Sequence, residues 1–225
     1  MSNAINVLAD KGCEHTLDTF RPTTEKEIVD IIKSSKPASS EIDPIPTTLL
    51  KECCTEVAPI IPKIVNLSLV NAYVPHSMKK AVIRPLIKKV TLDPETFKNY
   101  RPVSNLSFIS KILEKVIARG LNEYLADNNL HTKMQSAYKG FHSTETALLR
   151  VHNDLTRALD NKQMAILVLL DLSAAFDTIE HDTLLKRLRT RFGISGKALD
   201  WIESYIKGRT QYVSIGGINR IWFPW

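Results

Sequence analysis

Helical periodicity through most of the first 160 residues, two short β-patterned stretches, and one uncharged apolar run ending in an acid predict an α+β fold with a helix-rich first half. Residues 1 to about 22 show no repeating pattern. Thr24-Glu-Lys-Glu27 matches a capping box, and Ile28, Ile31 and Ile32 give the short helix after it an apolar stripe. Ser34 to Pro46 holds three prolines and reads as a loop. Val57, Ile60, Ile61, Ile64, Val65 and Leu69 recur at helical spacing. Ala81 to Ile87 reads as a strand in which Pro85 favours an edge position. Phe108, Ile109, Ile112, Leu113, Val116, Leu121, Tyr124 and Leu125 mark the clearest helix, and a further one spans Ser143 to Leu159. Helices near Thr183–Arg191 and Ser195–Lys207 follow, with Gly208 as a C-terminal cap, and Gln211 to Ile215 reads as a strand.

The run Met164-Ala-Ile-Leu-Val-Leu-Leu170 leads into Asp171 without a charged residue on the way. Such a run reads as a fully buried strand delivering an acid to the open end of a sheet. Asp177-Thr-Ile-Glu-His-Asp182 then reads as a polar turn and helix start. On these residues alone, Asp171 is either a cap for the next turn or a ligand for a divalent cation over a phosphate.

Hydrophobic residues make up 44% and charged residues 24% of the 225, which argues against wholesale disorder and allows one large domain or two small ones. The formal charge is +6, and its distribution is uneven. Between Lys79 and Arg119 ten basic residues face three acids, a net +7, so this stretch is either a solvated face or a surface for a polyanion. Cys13, Cys53 and Cys54 have no zinc-ligand spacing and fit a reducing compartment. No apolar run reaches membrane-spanning length and Met1-Ser-Asn-Ala4 is no leader, so the expectation is a soluble intracellular chain, cytoplasmic or nuclear.

Ordered blocks carry more information than any single one. They are Val82-Ile-Arg-Pro-Leu-Ile-Lys-Lys89, Asn99-Tyr-Arg-Pro-Val-Ser-Asn-Leu106, Gln135-Ser-Ala-Tyr-Lys-Gly-Phe-His-Ser-Thr-Glu-Thr-Ala-Leu-Leu149, the Asp171 block, Phe192-Gly-Ile-Ser-Gly-Lys-Ala-Leu-Asp-Trp201 and Ser204-Tyr-Ile-Lys-Gly-Arg-Thr-Gln211 with Val213-Ser-Ile-Gly-Gly217. In content, order and spacing, from about Ile42 to Gly217, the chain resembles the reverse transcriptase of non-LTR (LINE-type) retrotransposons. Relatives usually carry a Gly-Pro-Asp-Gly-Ile-Pro-like turn where this chain has Glu41-Ile-Asp-Pro-Ile-Pro46, without the two glycines.

The resemblance implies helix-rich fingers and the first part of a right-hand polymerase palm, with an incomplete sheet and no thumb. Residues 1–40 would be a lead-in with a short helix, 41–160 fingers-like, 161–217 a partial palm with motif A, and 218–225 a divergent tail. It implies RNA-directed DNA synthesis with Mg²⁺, an RNA template, a DNA primer and deoxynucleoside triphosphates. Asp171 matches the motif A acid and the Leu172 carbonyl the backbone ligand beside it. Phe176 matches the aromatic gate against a ribose 2′-hydroxyl, with core packing as its other reading, and Asp177 is assigned to turn capping. Lys88 or Lys89 and Arg101 match the residues that clamp the triphosphate, and Arg84 is either a further nucleic-acid contact or surface charge. Gln135, Tyr138, His142 and Ser143 fall in the template-handling block, although His142 also reads as an ordinary exposed histidine. Lys186, Arg187, Arg189 and Arg191 read as a solvated helix face.

Two-metal nucleotidyl transfer needs at least two carboxylates. The family takes its second and third from a later Tyr/Phe-Ala-Asp-Asp motif C, and no Asp-Asp dipeptide occurs in these 225 residues. A lone carboxylate holds Mg²⁺ at about millimolar strength. The expectation is therefore a polymerase fragment inactive by itself. The alternatives are a non-catalytic RNA-binding remnant and a degenerate reading frame with an uncovered sheet edge.

Overall fold

A computed structural model describes residues 13–36, 42, 43, 45–172, 175, 176 and 178–215, together with the backbone of 218–224. Two compact units emerge, Met1–Tyr124 with Glu180–Trp225, and Leu125–Ile179.

The first unit is built on helices packed through their apolar stripes. Helix α1 (Glu25–Ser34) starts as expected. The Thr24 hydroxyl accepts from the Glu27 amide at 3.3 Å, and the Glu27 carboxylate accepts from the Thr24 amide at 2.9 Å. Its Ile28, Ile31 and Ile32 are buried. Helices α2 (Thr47–Glu52), α3 (Cys54–Val57) and α4 (Ile61–Val70) come next. The apolar repeat from Val57 to Leu69 is thus divided between two helices. Pro62 lies in the first turn of α4, where a missing N–H does no harm, whereas inside a continuous helix it would remove a hydrogen bond.

Strand β1 (Lys80–Ile87) pairs antiparallel with β2 (Tyr100–Asn105), from Val82 opposite Asn105 to Ile87 opposite Tyr100. Helix α5 (Phe108–Asp127) follows, and its first amide donates to both carboxylate oxygens of Asp43, at 2.9 and 3.0 Å. The loop that lacks the family's glycines therefore supplies an anion to a helix N-terminus. In the second unit, α6 (Thr144–Asp160) begins at the cap Ser143. Helices α7 (His181–Phe192) and α8 (Gly196–Ile206) return to the first unit, followed by β3 (Thr210–Ile215) and β4 (Ile218–Pro224). Gly193 ends α7 at φ 65°, where a Cβ would lie 1.9 Å from the His15 carbonyl oxygen, so only glycine fits. The chain before α1 is held down here: Leu17 donates to the Gly193 carbonyl and accepts from the Ser195 amide, both at 3.0 Å.

The sheet order is β2-β1-β3-β4, with β1 and β3 parallel from Lys80/Thr210 to Ile83/Val213. Strand β1 is internal rather than an edge, which corrects the expectation from Pro85. The proline is tolerated because β3 pairing stops at Ile83, two residues before it. Pro85 also faces Pro102, and alternation from the Lys88–Asn99 hydrogen bond (2.8 Å) makes that a non-hydrogen-bonded pair. Gly208, at φ 67°, follows α8 as expected. Two buried cations close that helix end. Lys79 Nζ donates to the Ser204 and Lys207 carbonyls at 2.8 and 3.2 Å, and Arg209 Nη1 to the Tyr205 carbonyl at 3.2 Å. Burial, and then the neighbouring Arg209, lowers the Lys79 pKa.

The core joins α1, α4, α5 and α8 around Trp201, which is 2% exposed. Its indole N–H donates to Ser68 Oγ at 3.0 Å, and its ring stacks on Tyr205 at 5.4 Å.

The second unit is different. The predicted strand over 164–170 does not form: these residues take no regular structure, and Met164, Ile166, Leu169 and Leu170 are 84–99% exposed. A strand exists only where its N–H and C=O groups meet a neighbouring strand, and the sheet takes up other segments. Asp177 lies outside the described residues.

Candidate nucleic-acid and nucleotide site

The residues singled out in the sequence fall into two groups, one in each unit. In the first unit, antiparallel register places Leu86 opposite Arg101 and Arg84 opposite Val103. Successive side chains alternate across a strand, so Arg84, Leu86, Arg101 and Val103 share one face, and all four are exposed. Two guanidiniums beside short apolar side chains make a surface suited to a phosphate backbone.

The connection from β1 to β2 is a tied hairpin rather than a loose loop. Asp93 Oδ1 accepts from the Glu95 amide at 2.9 Å, Asp93 Oδ2 from the Thr96 hydroxyl at 2.7 Å, and the Asp93 carbonyl from the Asn99 side chain at 2.9 Å. The Glu95 and Thr96 bonds hold the Asp93 carboxyl below its ordinary pKa. Lys88 Nζ donates to the Lys98 carbonyl at 2.7 Å, so one of its three donors fixes the hairpin. Lys89 is exposed next to it.

In the second unit, side chains pin the backbone of the 135–143 loop. Gln135 Nε2 donates to the Ala137 carbonyl at 3.1 Å, and His142 Nδ1 faces the Gly140 carbonyl at 2.8 Å, an acceptor, so that nitrogen carries the hydrogen. Ser143 Oγ accepts from the Thr146 amide at 3.2 Å and caps α6. Tyr138 and Phe176 meet edge to face with ring centroids 6.4 Å apart, so Phe176 has an aromatic neighbour but is 73% exposed rather than packed in a core.

Asp171 and Leu172 are exposed. Among the described residues no group of three or more His, Cys, Asp or Glu side chains is placed to hold a metal. The donor set at Asp171, one carboxylate and one neighbouring carbonyl, does not fit a two-ion centre by itself. No helix among the described residues is long and apolar enough to cross a membrane.

Asp43 and Asp93, which hold the helix and hairpin carrying the cations, are not among the residues that the sequence singles out. Asp93 is signalled only by the run Asp93-Pro-Glu-Thr96, an Asx-turn pattern.

Comparison with known proteins adds the family. The reverse transcriptase (RNA-dependent DNA polymerase) family model matches residues 87–221, which include every candidate residue except Arg84. The chain is 29% identical over 197 residues to the probable RNA-directed DNA polymerase from transposon BS of Drosophila melanogaster, covering 87% of this chain and 21% of that protein. With the RNA-directed DNA polymerase from mobile element jockey of Drosophila melanogaster, identity is 31% over 154 residues, 68% of this chain and 16% of that one. For the Retrovirus-related Pol polyprotein from type-1 retrotransposable element R2 of Popillia japonica, it is 27% over 199 residues, 88% and 26%. The chain therefore spans about a sixth to a quarter of the length of these relatives. It belongs to the reverse transcriptase (RNA-dependent DNA polymerase) family and carries part of that domain in the form found in LINE-type retrotransposons.

Proposed function

We propose that this chain is the nucleic-acid- and nucleotide-facing part of an RNA-directed DNA polymerase: it binds RNA and the triphosphate of a deoxynucleotide but does not transfer nucleotides by itself. The observation that carries the reading is the exposed β1–β2 face with Arg84 and Arg101, beside a hairpin bearing Lys88 and Lys89. Each guanidinium offers a fork of donors to phosphate oxygens, and each ammonium a mobile point charge. In this reading β1, β2 and their connection belong to the fingers and the Asp171 segment to the palm. Phe176 limits space beside the sugar, so that a 2′-hydroxyl is disfavoured.

Divalent cations supply nucleotidyl transfer with an activated primer hydroxyl and a neutralised triphosphate. Asp171 and the Leu172 carbonyl are too few donors for that chemistry, which favours binding without catalysis for these 225 residues. RNA template and DNA primer are the partners in this reading.

Filter binding of a single-stranded RNA across a salt series tests it. Affinity falls as salt rises, and Arg84→Ala with Arg101→Ala lowers the slope of log K against log salt by roughly 0.7 for each phosphate no longer neutralised. RNA affinity that ignores salt, or no affinity, overturns the binding reading. Primer extension by the purified chain, abolished in Asp171→Asn, overturns the proposed inactivity.

A further inference from the structure

Tyr138, Phe141 and Phe176 are 89%, 108% and 73% exposed, an unusual concentration of aromatic surface in contact with water. Tyr138 and Phe141 also hold left-handed backbone, at φ 59° and 61°, a conformation that bulky L-residues adopt at a cost. The hydrogen bonds from Gln135 to the Ala137 carbonyl and from His142 to the Gly140 carbonyl keep the loop in that shape. Strain maintained by surrounding bonds is characteristic of sites that present side chains for function. From His131 to Ser143 the sequence has no acid and two lysines, Lys133 and Lys139, so Tyr138 and Phe141 have only cationic charged neighbours along that stretch.

We infer that Tyr138, with Phe176 set edge-on against it and Phe141 nearby in sequence, is a stacking platform for an unpaired nucleobase. Base–aromatic stacking tolerates any base because each has a π face, and a lysine next to Tyr138 in sequence suits the phosphates flanking that base. A paired base in a duplex has no free face to offer. The Tyr138–Phe176 contact fixes the ring planes in advance, which lowers the entropy lost on binding. This rests on the nucleic-acid-facing role proposed above and assigns it a second, uncharged component.

Fluorescence of 2-aminopurine, which stacking quenches, tests the inference on the full chain with three probes: the free riboside, a single-stranded RNA holding one 2-aminopurine, and the same RNA in a duplex. The riboside and the single strand are quenched and the duplex is not. Tyr138→Ala and Phe176→Ala each weaken single-strand binding by about 5- to 150-fold, and Tyr138→Phe retains it. Tyr138→Gly separates stacking from folding. Glycine relieves the positive φ, so the unfolding midpoint holds or rises while quenching is lost. No quenching of either unpaired probe, equal quenching of the duplex, or quenching that survives Tyr138→Ala overturns the platform. If RNA still binds with salt dependence in that case, the phosphate-binding reading stands without it. Riboside quenching with no RNA retained on filters gives the reverse outcome.

Discussion

The two units carry apolar stripes of similar strength and treat them in opposite ways. In the first, Ile28, Ile31 and Ile32 of α1 are at most 3% exposed in a core shared with α4 and α5, and every buried core residue among the described residues belongs to this unit. In Leu125–Ile179 none of the described residues is buried, although α6 presents Leu148, Leu149 and Leu159 on its surface and 164–170 is apolar throughout. Composition does not separate them; the availability of a complementary surface does. Three isoleucines stabilise α1 because apolar residues of α4, α5 and α8 join them in one core. The stretch that reads most strongly as core in the sequence meets no such surface.

The largest expected effect compares single substitutions in the two units. Trp201→Ala removes a ring stacked on Tyr205 and a buried hydrogen bond to Ser68, so it lowers the stability of the first unit by about 3–5 kcal/mol. Leu169→Ser, at a residue 84% exposed, changes stability by less than about 0.5 kcal/mol. Urea titrations followed by tryptophan fluorescence and by circular dichroism measure both. A Leu169→Ser shift as large as that of Trp201→Ala would show the 164–170 run to be buried in solution, and the contrast would disappear.

What was legible in the sequence follows the same division. The capping box of α1, the extents of α5, α6 and α8, and the glycine after α8 were readable because neighbouring residues determine them. The break before Pro62 is a local feature that the apolar repeat from Val57 to Leu69 does not show. Strand β4 lies in the tail that reads as divergent in the sequence, and its pairing with β3 came from the fold. The carboxylate cap on α5 was not legible, since Asp43 and Phe108 are 65 residues apart and only tertiary structure joins them. The 164–170 strand was read from an apolar pattern, and a pattern names a face without naming its partner. Among the candidate residues, sequence order singles out Arg101 and Tyr138 as candidates, while the shared face with Arg84 and the ring contact with Phe176 came from the fold.

A smaller effect sharpens the comparison through pH. The hydrogen bond from Arg21, at 2.7 Å, and the bond from the Thr24 amide pull the Glu27 carboxyl from 4.5 down to about 2. A carboxyl whose folded value is depressed adds stability that is fully present above its unfolded value and is lost as pH falls towards the folded one. The first unit therefore loses stability between about pH 4.5 and pH 2. Glu27→Gln flattens that part of the profile and lowers stability at neutral pH by about 1 kcal/mol, through the broken Arg21 pair and a weaker capping box. Thermal unfolding of both proteins from pH 7 to pH 2.5 measures this; parallel profiles would remove Glu27 as the source.

The smallest effect is the most discriminating, because α1 and α6 use the same device. Thr24 and Ser143 each accept a hydrogen bond from the amide three residues on, and in each the third residue's side chain accepts from the cap amide in return. If burial rather than local propensity couples a helix to the cooperative core, breaking the two boxes must give different results. Thr24→Ala loosens a helix whose isoleucines are buried, and the main unfolding midpoint falls by the usual cap contribution of about 1 kcal/mol. Ser143→Ala removes the same bond from a helix with no buried residue, so α6 frays, far-UV ellipticity declines slightly before the transition, and the main midpoint stays in place. An equal drop in midpoint for Ser143→Ala would mean that α6 unfolds together with the core, and the division of the chain into one packed and one unpacked region would be wrong.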